Sequence, residues 1–457
     1  MKREKYDPYI FSESAIRKPP EGIFRSIKYL GPSLVLSASI VGSGELIATT
    51  VLGAQAGFVT LWVIIVSCLV KVTLQLEFGK HAINTGETTM VALNKLPGPR
   101  FKDVHWTIWA WLAIFIMKFF QMGGIVGGVA QALNMTILSI SVDIWAWITG
   151  ILVAILVFRG HYRFIQNFSI ILIFLFSLFN IICVIMLQFT PYSINFEDIL
   201  SGLSFKLPSY AVVFAVSAFG ITGVGGDEIM QYPYWCIEKG YASYTGPRKN
   251  SLEWIKRAKG WIKVMYFDAI FSMVIYTIVT VSFYLLGAAV LHGSGEIPEG
   301  YEMIGTLSKM YTESIGPSAK YIFLSGAVIV LFSTLFSALA AWSRTFGDAF
   351  GRFKIIDYFN TKQRNRFIAI FAWLCAIVWT ILFLLIKEPV FMVSLGGIGT
   401  AIILLIVVYV AYYLRYKRLS KELYPSLIYD VFFWLSAVVI LGVGIKALYS
   451  GIAGLFQ

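Results

Sequence analysis

The string Ser39-Ile-Val-Gly-Ser-Gly-Glu-Leu-Ile47 falls in the middle of the first long apolar segment, residues 30–56. It serves a continuous membrane helix poorly. Each glycine costs about 1 kcal/mol against alanine in a helix interior. Glu45 adds a carboxylate at bilayer depth, at a cost of roughly 3 kcal/mol or more. Gly42, Ser43, Gly44 and Glu45 together predict a helix that unwinds and lines a polar cavity. Close helix packing would explain the glycines alone, and it leaves Glu45 without a reason.

The rest of the composition is membrane material. Of 457 residues, 58% are hydrophobic and only 14% charged, with a mean hydropathy of +0.75. A soluble domain needs more polar surface, so an all-α polytopic membrane protein is expected. Aromatic residues, at 16%, fit belts at both interfaces. Residues 1–28 are polar and charged, and the first apolar run is a full span, so no cleavable signal is expected. The net charge of +12 sits largely in short loops. That is the positive-inside pattern and gives no reason to expect nucleic acid. Cys68, Cys183, Cys236 and Cys375 are scattered and read as buried thiols. His81, His105, His161 and His292 fall at span ends or in loops. There is no P-loop, zinc-type His/Glu pattern or GxSxG elbow. An enzyme is not expected, and transport without an ATP-binding module is secondary or passive.

Eleven apolar spans are expected: 30–56, 58–83, 106–136, 142–158, 167–190, 209–235, 262–291, 319–343, 366–387, 390–415 and 427–452. Each matches a hydrocarbon core of about 30 Å. The basic stretches around Arg25–Lys28, Lys95–Lys102, Arg159–Arg163, Lys239–Lys259, Arg344–Arg366 and Arg415–Lys421 all fall on one side of that count. This predicts a cytoplasmic N-terminus and an extracellular C-terminus in a cell membrane. Gly42-Ser-Gly-Glu-Leu-Ile47 is echoed five spans later by Gly223-Val-Gly-Gly-Asp-Glu-Ile-Met230. Gly-interrupted spans in corresponding positions point to inverted repeats with a site at the midplane. The chain then divides into a tail (1–29), a first five-helix repeat (30–190), a second (209–415), and an eleventh helix with the C-terminus (416–457).

Glu45, Asp227 and Glu228 are the carboxylates placed near the bilayer centre. Such groups line a cavity and bind cations or move protons, or else they pair with a base and fix packing. Carboxylate and carbonyl oxygens suit Mg2+, Ca2+ or Mn2+, and no cysteine is close enough in sequence to favour a softer metal. The candidate substrate- or ion-binding set is Gly42, Ser43, Gly44, Glu45, Val224, Asp227, Glu228 and Gly396, with Glu45 and Asp227 as metal ligands. Lys118 in the third span is a possible countercharge, or it snorkels to an interface. Lys71 is similar but less central. Asp268 is a second possible proton or countercharge group, or a structural cap. Ser333, Thr334 and Ser337 offer polar wall. Gly396, Gly397 and Gly399 either pack closely or widen the cavity.

Leu30-Gly-Pro-Ser-Leu-Val with Ser39-Ile-Val-Gly-Ser-Gly-Glu resembles the first span of the Nramp (natural resistance-associated macrophage protein) metal transporters. Leu61-Trp, Leu74-Gln-Leu, Thr85-Gly, Ala132-Leu-Asn, Arg159-Gly-His-Tyr-Arg, Gly220-Ile-Thr-Gly and Asp268 follow in the same order. The resemblance implies a LeuT-type fold, with helices 1 and 6 broken at the site. It also implies that the family's Asp-Pro-Gly-Asn is replaced here by Gly42–Glu45, and its Met-Pro-His by Asp227-Glu228-Ile229. The family's third-span acids align near Met122 and Ile125, and its tenth-span Gln with Gly396. Side chains lost to glycine should enlarge the cavity, enough for a hydrated Mg2+ or an organic solute. Ile-Val-Gly-Ser-Gly also resembles the first-span motif of amino-acid/polyamine permeases, where free amides hold a substrate carboxylate.

Three readings follow. One is a secondary transporter of a divalent cation, Mg2+ or Mn2+. The second is a carrier of an amino-acid-like solute or polyamine on the same fold, and the third a non-transporting membrane sensor or scaffold. No resident cofactor is expected. The partners are the lipid bilayer and a small cation or organic solute, and a monomer is compatible with all three readings.

Overall fold

The computed structural model describes residues 7–40, 42, 44–137, 139–158, 162–249 and 251–453. Ser43, Arg159 and His161 lie outside them. The principal helices are α1 (Pro32–Ile40), α2 (Thr50–Ala56), α3 (Leu61–Thr85), α4 (Trp106–Thr136), α5 (Val142–Phe158), α6 (Tyr162–Leu187), α7 (Val212–Ile221), α8 (Gly226–Lys239), α9 (Leu252–Leu286), α10 (Ala319–Arg352), α11 (Thr361–Ile386), α12 (Pro389–Tyr413) and α13 (Leu427–Ala453). Short helices and one two-stranded hairpin, Arg100–Phe101 with Val104–His105, join them.

Local chemistry sets the ends. Pro32 and Pro389 open α1 and α12, where a missing N–H costs nothing. Asn360 accepts from the amides of Lys362 and Gln363 at 3.0 and 3.3 Å and caps α11. Gly86 and Gly240 close α3 and α8 in the left-handed region, at φ 72° and 100°. Among the described residues, eight helical stretches are long and apolar enough to cross a membrane. One expected span is a shorter apolar helix, Val142–Phe158, and the span expected over 167–190 overlaps the 26-residue α6. Another stretch, Gly44–Thr85, carries parts of two expected spans through a turn at Gly57, φ 60°.

Two elements are interrupted where glycines cluster. α1 ends at Ile40, and the chain resumes as a π-helical segment, Gly44–Thr49, before α2. α7 ends at Ile221. Gly223 takes φ 61°, and α8 begins at Gly226. α12 packs along α4 and α7. Gly396, Gly397 and Gly399 are what let it do so. A Cβ at Gly397 would meet Ser217, at Gly399 Met117 and at Gly396 Gln121. This cluster is close packing, not cavity wall.

At the far end of α3, Glu77 takes Lys80 at 2.6 Å and Arg415 at 3.0 Å, and Arg415 reaches on to Asp430 at 2.6 Å. This ties α3 to the segment after α12 and to α13. In the next loop, burial works against the Glu87 carboxylate. His81, Lys95 and Arg418 outweigh it and hold the carboxyl down to about 2.

The α7–α12 crossing gives a direct test. A Cβ at Gly220 would run into the Gly397 carbonyl oxygen, whereas Gly442 in α13 has nothing within 4 Å. Gly220→Ala should cost about 1–3 kcal/mol by overpacking. Gly442→Ala should be neutral or gain up to about 1 kcal/mol of helix propensity. Thermal unfolding in detergent measures both, and equal transitions for the two variants would contradict the packing.

Candidate functional site

The two breaks face each other, and Glu45 joins them. Its carboxylate accepts from Gly42 N at 3.3 Å, from Gly223 N at 3.4 Å and from Thr280 Oγ1 at 3.2 Å. Glu45 is fully buried. Both amide bonds are long, and together they offer a buried anion the donors it needs. A Cβ at Gly44 would sit 3.0 Å from the Ile221 carbonyl oxygen, so glycine is what allows the breaks this close.

The end of α7 exposes carbonyls, and α3 answers with a cation. Lys71 Nζ donates to Phe219 O at 2.7 Å and also to Thr222 O. Ser67 Oγ adds bonds to Phe219 O at 3.0 Å and to Thr222 O at 3.2 Å. An ammonium at a helix C-terminus satisfies orphan carbonyls and complements the dipole. Asp268 does the converse at α1, accepting from Gly31 N at 2.8 Å and Ser33 N at 2.7 Å.

Asp227 and Glu228 occupy the first turn of α8, where the helix dipole favours negative charge. Both line an enclosed cavity of about 10 Å³, room for about one water. Gln121, Gln231 and Thr334 add polar wall. Met122, Ile221 and Trp342 close it with apolar surface. Trp342 is held edge-on to Trp379 at 5.2 Å and to Phe115 at 4.5 Å. Glu228 Oε2 has no hydrogen-bond partner among the described residues. It lies over Gly225, where a Cβ would collide with it. Lys118 Nζ is 3.1 Å from Asp227 Oδ1 and donates to Thr400 Oγ1 at 2.9 Å.

A family model, Natural resistance-associated macrophage protein-like, matches residues 33–450. The chain belongs to the Nramp family. It is 24% identical over 335 residues, 69% of each chain, to the uncharacterized protein PM0681 of Pasteurella multocida (strain Pm70). Among solved structures it is similar to a Glu-to-Gln mutant of the Eremococcus coleocola manganese transporter, with TM-score 0.66 and 16% identity over 98% of this chain and 92% of that one. It is also similar to Mhp1, a nucleobase-cation-symport-1 family transporter in a closed conformation with bromovinylhydantoin bound. There the TM-score is 0.58, at 16% identity over 92% of each chain. This Nramp protein is therefore a multi-pass membrane protein of the LeuT fold.

Within it, the candidate residues part company. Asp227, Glu228 and Gly44 line the cavity. Glu45, expected beside Asp227 as a metal ligand, is turned to the amides of the breaks and to Thr280, and it does not line the cavity. Val224 is buried and outside the lining, Gly396 packs on Gln121, and Asp268 caps α1. Ser43 lies outside the described residues. The cavity expected to grow where glycines replace side chains is small, because neighbours fill the space. Thr334 Oγ1 occupies the place of a Cβ at Gly42, and Gln121 that of one at Gly396. Among the described residues, no group of three or more His, Cys, Asp and Glu side chains is placed to hold a metal ion.

Gln121, Gln231, Trp342, Thr280 and Thr400 were not foreseen. Two of them had a signal. Gln121 follows Lys118 by three residues and Gln231 follows Asp227 by four, spacings that put each pair on one helix face. The Lys71 cap can be tested by Lys71→Met, which leaves the Phe219 and Thr222 carbonyls only the single hydroxyl proton of Ser67 to share. The carbonyl left without a donor should cost about 1–3 kcal/mol, read as a lower thermal transition in detergent. An unchanged transition would exclude the capping role.

Proposed function

We propose that this Nramp-family protein is a secondary transporter of a divalent cation, Mg2+ or Mn2+, which passes the breaks at Asp227 and Glu228. The observation that carries the reading is charge. Among the described residues, Glu45, Asp227 and Glu228 have Lys71 and Lys118 as the cations around the breaks, leaving one negative charge in excess when all are ionised. Glu228 Oε2, without a donor among the described residues, is on the cavity wall. Two carboxylates with the amide and hydroxyl side chains of Gln121, Gln231 and Thr334 make a polar wall. That suits a hard cation which keeps part of its water shell. The similarity to a manganese transporter supports the same class of cargo.

The organic-solute reading is less favoured. A substrate carboxylate would need free amides at the break, and those of Gly42 and Gly223 are already bound by Glu45. The loop charges support a cytoplasmic N-terminus and an extracellular C-terminus in a cell membrane. The breaks five spans apart support repeats over 30–190 and 209–415.

The test is a flux panel in liposomes with Mg2+, Mn2+, Ca2+, amino acids and polyamines. A divalent cation should move. Asp227→Asn and Glu228→Gln should each lower kcat/KM at least tenfold, about 1.4 kcal/mol. Gly225→Ala should act in the same direction by displacing Glu228. Uptake of an amino acid or polyamine without any divalent cation would reject the reading.

A further inference from the structure

Lys118 is on α4, nearly inaccessible, and it holds two partners of different quality. Its bond to Thr400 Oγ1 is a well-formed hydrogen bond at 2.9 Å. Thr400 spends its own proton on Gly396 O at 3.0 Å, so its lone pairs are free to receive the ammonium. The approach to Asp227 is different. The 3.1 Å separation is an ion-pair contact, and Asp227 Oδ1 accepts no hydrogen bond there. Asp227 lines the cavity, while Lys118 reaches it only from behind the wall. A lysine is a point charge on a flexible four-carbon stem, with one charge to share between two acceptors.

We propose that the Lys118 ammonium is a tethered competitor for the transported cation at Asp227, drawn back onto Thr400 when the site loads and returned to Asp227 when it empties. The proposal rests on the cation reading of the site given above. A divalent ion against Asp227 repels the ammonium at short range in a weakly screened interior. Thr400 then offers a neutral acceptor within reach, so no donor is stranded. When the ion leaves, Lys118 again neutralises Asp227. The empty carrier can then switch back to its loading state with the Asp227 charge neutralised. Loading weakens the Lys118–Asp227 contact, and that contact in turn weakens loading, by the reciprocity of linked equilibria.

The full-length protein is tested in two formats. Mn2+ binding is measured in detergent. Mn2+ uptake is measured in liposomes either empty or preloaded with unlabelled Mn2+. Lys118→Gln should bind Mn2+ at least tenfold more tightly. It should lose at least tenfold in net uptake into empty vesicles and keep exchange into preloaded ones, since exchange needs no empty return. Its thermal transition, low without metal, should recover towards wild type in Mn2+. Thr400→Val removes the alternative acceptor and should weaken Mn2+ binding several-fold, the opposite direction. A lysine that only props the helices predicts net uptake and exchange falling together, with no Mn2+ rescue of stability. That result overturns the proposal. So does unchanged Mn2+ affinity in Thr400→Val, which stands as a test even if Lys118→Gln fails to fold. If the wild-type protein binds neither Mn2+ nor Mg2+, the transport reading itself falls. If it binds and Asp227→Asn weakens it, yet Lys118→Gln does not tighten it, only the role of Lys118 falls.

Discussion

A buried carboxylate must find donors, and Glu45 finds two of them at Gly42, beyond the end of α1, and at Gly223, between α7 and α8. Each break frees amides that a continuous helix would have used. Gly42 N and Gly223 N turn to one side chain, and Thr280 of α9 shares its single hydroxyl proton between Glu45 and Tyr276 O. The break and the anion therefore require each other. Without Glu45 the amides are orphans in a water-poor interior, and without the amides Glu45 is an unsolvated charge. Close approach of the breaks, the glycines that permit it and the position of α8 follow from this one constraint.

The remaining charges extend the same logic. α7 ends in carbonyls and receives Lys71; α1 begins in amides and receives Asp268. In each case a side chain on a neighbouring continuous helix closes the end of a discontinuous one. The scaffold thereby fixes where the half-helices point. Among the described residues, the first turn of α8 keeps a carboxylate oxygen without a donor at the cavity, Glu228 Oε2, beside an Asp227 that faces Lys118.

Much of this was legible in the sequence, and the pattern of success is physical. Apolar runs and their punctuation locate helices because burial in lipid demands continuous backbone bonding. The third expected span, 106–136, is helical from Trp106 to Thr136. Gly-rich strings with acids lie where α1 gives way to the π-helical segment and where α7 gives way to α8, since glycine and a buried carboxylate are both costly inside a continuous helix. What sequence cannot supply is the direction of a side chain at an interruption. Glu45 and Asp227 look equivalent as strings, yet one faces amides and the other faces the cavity. Periodicity arguments lapse where the helix does. Gly396 shows the same limit: whether a missing side chain leaves a void depends on Gln121, which reaches across from another helix.

That backfilling changes how the site's selectivity is to be understood. Replacing ligands by glycine lets helices close in, and Thr334 and Gln121 move into the freed volume. The site is then not an enlarged version of a two-helix metal cage. It is a narrow, acidic helix N-terminus with an amide and hydroxyl wall. A closed volume of about 10 Å³ excludes a hydrated ion, so a cation that keeps its waters must part the walls to enter. Trp342, wedged between Trp379 and Phe115, is the apolar wall that must move or be moved against. On the proposed reading, cargo size is thus set by how far α10 can yield relative to α8, and charge by Asp227 and Glu228 against Lys118.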